Sequence, residues 1–186
     1  DLEKITQTLG LETCAISIGG SNLVGALLSG NSKGIAVADI ATDDDVDKLT
    51  SYGDVVVMEG GVNTAGNLLL VNENGVVASP SVPHEGLEII ADVMGVDVMA
   101  TTIAGQDVVG SLGVTNDQGV LLHPDVTPEE VISIQEILGV PPMVGTVCFG
   151  SPYVGAGICS TNNGALAGSE TTGPEMNRIE DALGLI

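Results

Sequence analysis

The chain has 186 residues, 44 % of them hydrophobic, with one Phe, two Tyr and no Trp; this excludes a disordered polypeptide, and the core has to be built from Val, Ile, Leu, Ala and Met. Four basic against 25 acidic residues give a net charge of −21, a surface that repels free nucleic acid and acidic lipid and suits a basic protein partner, a salt-rich cytoplasm, or solubility alone. No apolar run approaches a membrane span and no signal peptide is present; Cys14, Cys148 and Cys159 lack metal-ligand spacing and read as reduced thiols of a cytoplasmic protein.

Leu2, Ile5 and Leu9, followed by Gly10, carry the spacing of a helix. The chain opens on this helix without Met, as a truncated or processed product would. The glycine-rich stretch "IGGSNLVGALLSGNSKG" comes next. It is not a P-loop, because Ile35 follows Gly34 where Lys-Ser/Thr is required, and it is not a dinucleotide fingerprint, because a second strand follows the glycines. "NSKG" between apolar runs predicts a hairpin whose glycine takes the φ > 0 position. Asp43, Asp44 and Asp45 favour a helix start over a cation site. Val46 and Leu49 continue that helix, and Gly53 stands where a third anchor belongs, so it is expected to be short.

The same order recurs three times. "NENG" closes a hairpin between "NLLLV" and "GVVAS"; Leu87, Ile90 and Met94 then mark a helix ended by Gly95, with His84 a surface residue near its start. "NDQG" precedes a helix with Val131, Ile134 and Leu138, ended by Gly139 and begun by Thr127-Pro128-Glu129-Glu130, which offers an N-cap, a first-turn proline and a capping-box acid. "TNNG" precedes a helix with Met176, Ile179 and Leu183, ended by Gly184, with Thr172 and Glu175 as its box.

The glycines fall on a common ruler. Gly20, Gly25 and Gly34 are five and nine apart, and the spacing recurs at Gly61, Gly66 and Gly75, at Gly105, Gly110 and Gly119, and at Gly150, Gly155 and Gly164. Copies start 41, 44 and 45 residues apart, and 12 of the 26 glycines lie on the marks, so these glycines serve a repeat. The reading is a single α/β (α+β) domain over 1–186. Residues 1–13 are the helix of an incomplete first repeat, and 14–54, 55–96, 97–140 and 141–186 are full strand–strand–helix repeats. Three anchors in one helix contribute about 1.5–3 kcal/mol each, against about 1–2 kcal/mol of backbone entropy for each of roughly forty ordered residues. One unit cannot stand alone. The chain ends on Leu185 and Ile186 with no polar capping repeat, which favours a closed ring over an open array.

"TAGNLLLVNENGVVASP", "VVGSLGVTNDQGVLLHPD" and "GSETTGPEMNRIEDALGLI" resemble the translation initiation factor 6 family, its archaeal members above all, and the resemblance covers essentially the whole chain. It implies a pentein: five α/β units around a pseudo-fivefold axis, the first incomplete here because family members begin with a strand-forming segment that this chain lacks. It implies a non-enzymatic, cytoplasmic factor, expected to be a monomer, with no cofactor and no metal. Such a factor binds the intersubunit face of the large ribosomal subunit, keeps the small subunit from joining prematurely, and accompanies large-subunit biogenesis. The chain stops at its last helix, without the long tail of eukaryotic members. The alternatives are a pentein-fold guanidine-modifying hydrolase using Cys148 and His123, and an acidic repeat scaffold for another partner. His123 occupies the frame position that the preceding copy gives to Ser79, and no spacing shows the carboxylates a guanidinium would need.

In a ring of repeats the positions after the shared glycine recur on one face: Ala26, Asn67, Ser111 and Ala156. Asn67, with nearby Asn63 and Thr64, is the candidate contact with a large-subunit protein; the alternative is that Asn67 hydrogen-bonds backbone beside its turn. Lys4, Lys33, Lys48 and Arg178 are too few and too scattered for an RNA-binding stripe, so docking is expected to run mainly through ribosomal protein.

Overall fold

The computed structural model describes residues 2–59 and 63–186. The chain begins with helix α1 (Leu2–Leu9). The first full unit runs α2 (Val24–Leu27), β1 (Leu28–Gly30), β2 (Gly34–Ala38), α3 (Asp43–Leu49) and β3 (Asp54–Met58). The second is α4 (Ala65–Leu68), β4 (Leu69–Val71), β5 (Gly75–Ala78), α5 (His84–Met94) and β6 (Asp97–Ala100). The third is α6 (Val109–Leu112), β7 (Gly113–Thr115), β8 (Val120–Leu122), α7 (Pro128–Leu138) and β9 (Pro142–Val144). The last is α8 (Val154–Gly157), β10 (Ile158–Ser160), β11 (Ala165–Ala167) and α9 (Gly173–Ala182).

Each unit is therefore richer than strand–strand–helix. The hairpin strands pair antiparallel, and after the helix a third strand returns parallel to the second, giving sheets ordered β1-β2-β3, β4-β5-β6 and β7-β8-β9, with β10-β11 as a pair. A one-turn helix precedes every hairpin. The long helices alternate with the sheets: α5 packs on β2 and β3 and on β6, α7 on β5 and on β6 and β9, α9 on β8 and β9, and α1 on β11. A central strand such as β2, Gly34–Ala38, is consequently buried along its whole length, which accounts for its unbroken apolar run. Ile90 and Met94, Ile134 and Leu138, and Ile179 with Leu183 fill these interfaces as the spacing predicts.

The helix ends follow local rules. Thr127 and Glu130 close a capping box with Pro128 in the first turn, and Thr172 and Glu175 close another. Gly95 (φ 61°) and Gly139 (φ 65°) end α5 and α7 in left-handed backbone. The short helix α3 has a third box: Asp45 accepts from the Thr42 amide at 3.1 Å while its own amide donates to Thr42 Oγ1 at 3.3 Å. The acids before Val46 are thus a cap as well as a helix-start charge.

The three marks of the glycine ruler have three different causes. Gly20, Gly105 and Gly150 lie at φ 77°, 70° and 97°, backbone that favours glycine; Gly61 lies outside the described residues. Gly34, Gly75, Gly119 and Gly164 do not take positive φ, contrary to the hairpin reading. They begin the second strand or stand just before it, where a Cβ would overlap the carbonyl oxygen of Val93, Ile137, Ala182 or Thr8, each at the end of the neighbouring helix. The third set stacks one on the next. A Cβ on Gly66 would overlap the Gly25 carbonyl, one on Gly110 that of Gly66, and one on Gly155 that of Gly110, so the one-turn helices α2, α4, α6 and α8 touch in succession.

Turn residues reinforce this order. Asn31 Nδ2 donates to Met94 O at 3.0 Å, Asn72 Nδ2 to Leu138 O at 2.9 Å, Asn116 Nδ2 to Leu183 O at 2.9 Å, and Thr161 Oγ1 to Leu9 O at 2.7 Å. Each hairpin thereby satisfies a terminal carbonyl of the long helix one unit further on, and the last hairpin does so for the first helix.

Candidate functional site

The face that carries Asn63, Thr64 and Asn67 is built from the loops before the one-turn helices. In the first, third and fourth units a buried anchor (Ile18, Ile103 or Val147) makes an isolated β-bridge to Ser21, Gln106 or Ser151. Between the bridged residues the backbone turns through positive φ: Gly19 and Gly20, Ala104 and Gly105, and Cys148, Phe149 and Gly150. The residues at the N-caps of the one-turn helices then emerge in equivalent places: Leu23, Thr64, Val108 and Tyr153.

A carboxylate from the first turn of the helix after each hairpin holds each of these three turns. Asp45 Oδ2 accepts from the Gly19 amide at 2.9 Å. Glu130 accepts from Ala104 N at 3.0 Å, Gly105 N at 3.1 Å and Thr102 Oγ1 at 2.6 Å. Glu175 accepts from Phe149 N at 3.1 Å, Gly150 N at 2.8 Å and Thr146 Oγ1 at 2.8 Å. The same acids close the capping boxes, so one side chain fixes both a helix start and a loop. Gly86 holds the corresponding place in α5.

The hydrogen bonds lower all three acid pKa values. The Gly19 and Thr42 amides lower Asp45. At Glu130 burial pushes upward, and the bonds from Thr102, Thr127, Gly105 and Ala104 outweigh it. At Glu175 the Thr172 amide is the largest influence, partly opposed by burial and aided by Gly150 and Thr146, and the carboxyl settles at about 2. A carboxyl lowered on folding stabilises the fold above its unfolded pKa, and that stabilisation is lost as pH falls through the folded value. Glu175→Gln is therefore expected to lower the urea midpoint at pH 7, with the gap to the parent closing between pH about 4.5 and about 2; parallel urea titrations across that window check it.

Asn63 Nδ2 donates to Asp39 Oδ1 at 2.6 Å. This tie is paralleled in the next unit, where Ser81 Oγ donates to Asp107 Oδ2 at 3.1 Å. Thr64 is the N-cap of α4 and makes no side-chain cap; its carbonyl accepts from the Asn67 and Leu68 amides. Asn67 Oδ1 accepts from Ser111 Oγ at 3.0 Å, so its partner is a side chain of the next unit, at the equivalent frame position, rather than backbone. Ala26, Asn67 and Ala156 line one hollow of about 480 Å³, together with Asn22, Leu23 and Cys159.

Cys148 and His123 are engaged separately. His123 is buried, its amide donates to Leu112 O at 2.9 Å, and Nδ1 accepts from the Asp125 amide at 3.0 Å. Ser79 does the same in its own unit, donating to Leu68 O and accepting from the Ser81 amide, so His123 caps a turn. Its ring meets Tyr153 edge-on at 6.5 Å. The Cys148 amide donates to Thr171 Oγ1 at 3.3 Å and Sγ lies 3.8 Å from the same oxygen. No hydrogen bond joins Cys148 to His123 among the described residues, and there no three His, Cys, Asp or Glu side chains cluster to hold a metal. No helix among the described residues is long and apolar enough to cross a membrane.

The cations are scattered over three helices and a hairpin turn. Lys4, Lys48 and Arg178 are on α1, α3 and α9, and Lys33, in a hairpin turn, donates to Gly95 O at 3.1 Å. What the face does offer is apolar: Leu23 is 72 % exposed and Phe149 80 %. The sequence carried a signal for Phe149, the one phenylalanine of the chain beside a ruler glycine, but its exposure could not be read there.

A model of the eIF-6 family matches residues 1–182. The chain is 44 % identical over 185 residues to a protein of Methanocella arvoryzae named translation initiation factor 6, covering 100 % of this chain and 84 % of that protein. It is also 44 % identical over 186 residues to the protein of that name from Halorubrum lacusprofundi, covering 99 % and 84 %. The Natronomonas pharaonis protein of the same name matches at 44 % over 193 residues, 100 % of this chain and 87 % of its own. The chain belongs to the eIF-6 family.

Proposed function

We propose that this chain acts in translation initiation as a ribosome anti-association factor. It binds the intersubunit face of the large ribosomal subunit, keeps the small subunit from joining, and takes part in large-subunit biogenesis. The match of the family to residues 1–182 carries this reading, supported by relatives named translation initiation factor 6. The action is steric: a rigid body occupies a surface that the small subunit needs, and no bond is made or broken. The proposed architecture is the pentein, with α1 in the fifth position of a pseudo-fivefold ring. Two contacts support it: Thr161 Oγ1 on Leu9 O, and Gly164 against Thr8 O.

The docking surface in this reading is the loop face, including Asn63, Thr64 and Asn67. A chain of net charge −21 is repelled at long range by ribosomal RNA, so the partner there is a basic ribosomal protein, and the factor works as a monomer in the cytoplasm. Sedimentation with purified archaeal large subunits tests the reading: the chain is expected to travel with large subunits and to reduce joining when small subunits are added. Failure of either removes the function. Affinity is expected to change by less than about tenfold between 50 and 200 mM KCl, whereas a protein making many phosphate contacts loses about 10³–10⁵ over that range. A slope of that steepness would contradict protein-mediated docking.

A further inference from the structure

Phe149 stands in an unfavourable backbone conformation, and its ring is left exposed rather than packed in the core. Its φ is 63° and that of Cys148 is 50°, two consecutive non-glycine residues in the left-handed region. The equivalent loops turn with Gly19 and Gly20, or with Ala104 and Gly105, between bridged residues three apart; in the fourth unit the bridge joins Val147 to Ser151 and spans one residue more. That extra residue brings an aromatic ring which, instead of packing, is 80 % exposed.

The loop is nevertheless held from several sides. Glu175 takes the amides of Phe149 and Gly150 and the Thr146 hydroxyl, while its second role at Thr172 fixes its own position, with bonds of 2.8 Å from the amide and 2.9 Å from Oγ1. Thr171 Oγ1 takes the Cys148 amide and itself donates to Gly168 O at 2.7 Å. Tyr153, four residues on and 43 % exposed, is set by its edge-on contact with buried His123. Strain that the surroundings over-determine, and that presents a large apolar group to water, is characteristic of a binding element.

We propose that Phe149 is the apolar anchor by which the loop face seats on its partner, and that Glu175 is the positioning residue that presents it. This rests on reading the loop face as the ribosome-docking surface. The partner chemistry is a basic protein surface with an apolar hollow: the ring needs a desolvated pocket, and net charge −21 favours a positive rim and opposes an RNA surface.

The test measures equilibrium binding of the full chain to purified archaeal large subunits. Phe149→Ala is expected to weaken binding about 30-fold, the level of an interface hot spot, with little change in melting temperature because the ring is 80 % exposed. Phe149→Tyr restores binding to within about threefold of the parent, since it keeps the ring. Glu175→Gln also weakens binding, yet adds less than about twofold in the Phe149→Ala background, because its effect runs through the ring. Tyr52→Ala, removing an exposed aromatic on another element, leaves binding unchanged.

Binding of Phe149→Ala within about twofold of the parent would overturn the proposal. So would an undiminished Glu175→Gln loss in the Phe149→Ala background, which would mark general loosening or lost charge. Extracted large-subunit RNA that competes for the parent but not for Phe149→Ala would overturn the choice of a protein partner. If the parent itself fails to bind large subunits, the ribosome-docking reading fails and the proposal with it; if the parent binds and Phe149→Ala binds equally well, only the proposal fails.

Discussion

Alanine at Gly110 or Gly155 is expected to destabilise the chain by about 3 kcal/mol or more, the upper end of what overpacking does, while alanine at Gly25 is expected to change stability by less than about 0.5 kcal/mol. The three residues share a ruler mark and a place in a one-turn helix, so propensity alone would treat them alike and would favour alanine at each. The surroundings separate them. A Cβ at Gly155 would overlap the carbonyl oxygens of Gly110 and Gly113, and one at Gly110 would overlap Gly66 O and stand 2.6 Å from Leu69 O. Backbone on both sides is fixed by helix and strand bonds, so relief requires moving whole units. Beyond its own helix and chain neighbours, no described atom lies within 4 Å of where a Gly25 Cβ would stand. Urea unfolding of the three variants decides it. Equal small effects at all three would mean that the glycines reflect helix termination and not the packing of one short helix on the next.

The contrast shows what the sequence exposes and what it conceals. Leu87, Ile90 and Met94 announce α5 because their spacing lies within one element, and Thr127 with Glu130 announces the start of α7 for the same reason. The one-turn helices did not show, since four residues such as "VGSL" carry no period. The third strands did not show either: "DVMA" and "PMV" are short, and each pairs parallel with a strand on the far side of a helix. The ruler located Gly34, Gly75, Gly119 and Gly164 while a turn rule supplied the wrong reason for them; the true one is a carbonyl of the neighbouring helix, visible only once the units are packed.

The candidate face divides in the same way. Glu175 was legible as a box acid from its distance to Thr172, but its hold on Phe149 and Gly150 joins positions 25 and 26 residues away. Asn67 and Ser111 were legible as equivalent frame positions, and their bond to each other follows from the stacking of α4 on α6. Local chemistry reads from the sequence; the contacts that join segments 40 or more residues apart do not.

Several of those contacts converge on single turn asparagines. Asn116→Ala is expected to cost about 3 kcal/mol, because it removes four hydrogen bonds from a residue only 6 % exposed and strands buried partners. Nδ2 donates to Leu183 O at 2.9 Å and Thr161 O at 3.0 Å, while Oδ1 accepts from the Gln118 amide at 2.9 Å and the Gly119 amide at 3.0 Å. One side chain thus shapes the third hairpin turn, caps the end of α9 and touches the fourth hairpin. Asn116→Asp separates these duties. The carboxylate keeps the acceptor for Gln118 and Gly119 but sets a charge against two carbonyl oxygens with no proton to offer, so at pH 7 it should be worse than alanine. Facing carbonyls raise an acid's folded pKa. Its penalty relative to the parent therefore shrinks as pH falls toward the unfolded value of about 4 and the proton returns a donor. Glu175→Gln also approaches its parent in acid, but there the parent loses a carboxylate that stabilises it, whereas here the variant regains a bond. Absolute urea midpoints tell the two apart: between pH 7 and 5 the Asn116→Asp midpoint rises while the parent's stays level. A flat Asn116→Asp curve would show that the turn asparagine shapes its own hairpin and contributes nothing to joining one repeat to the next.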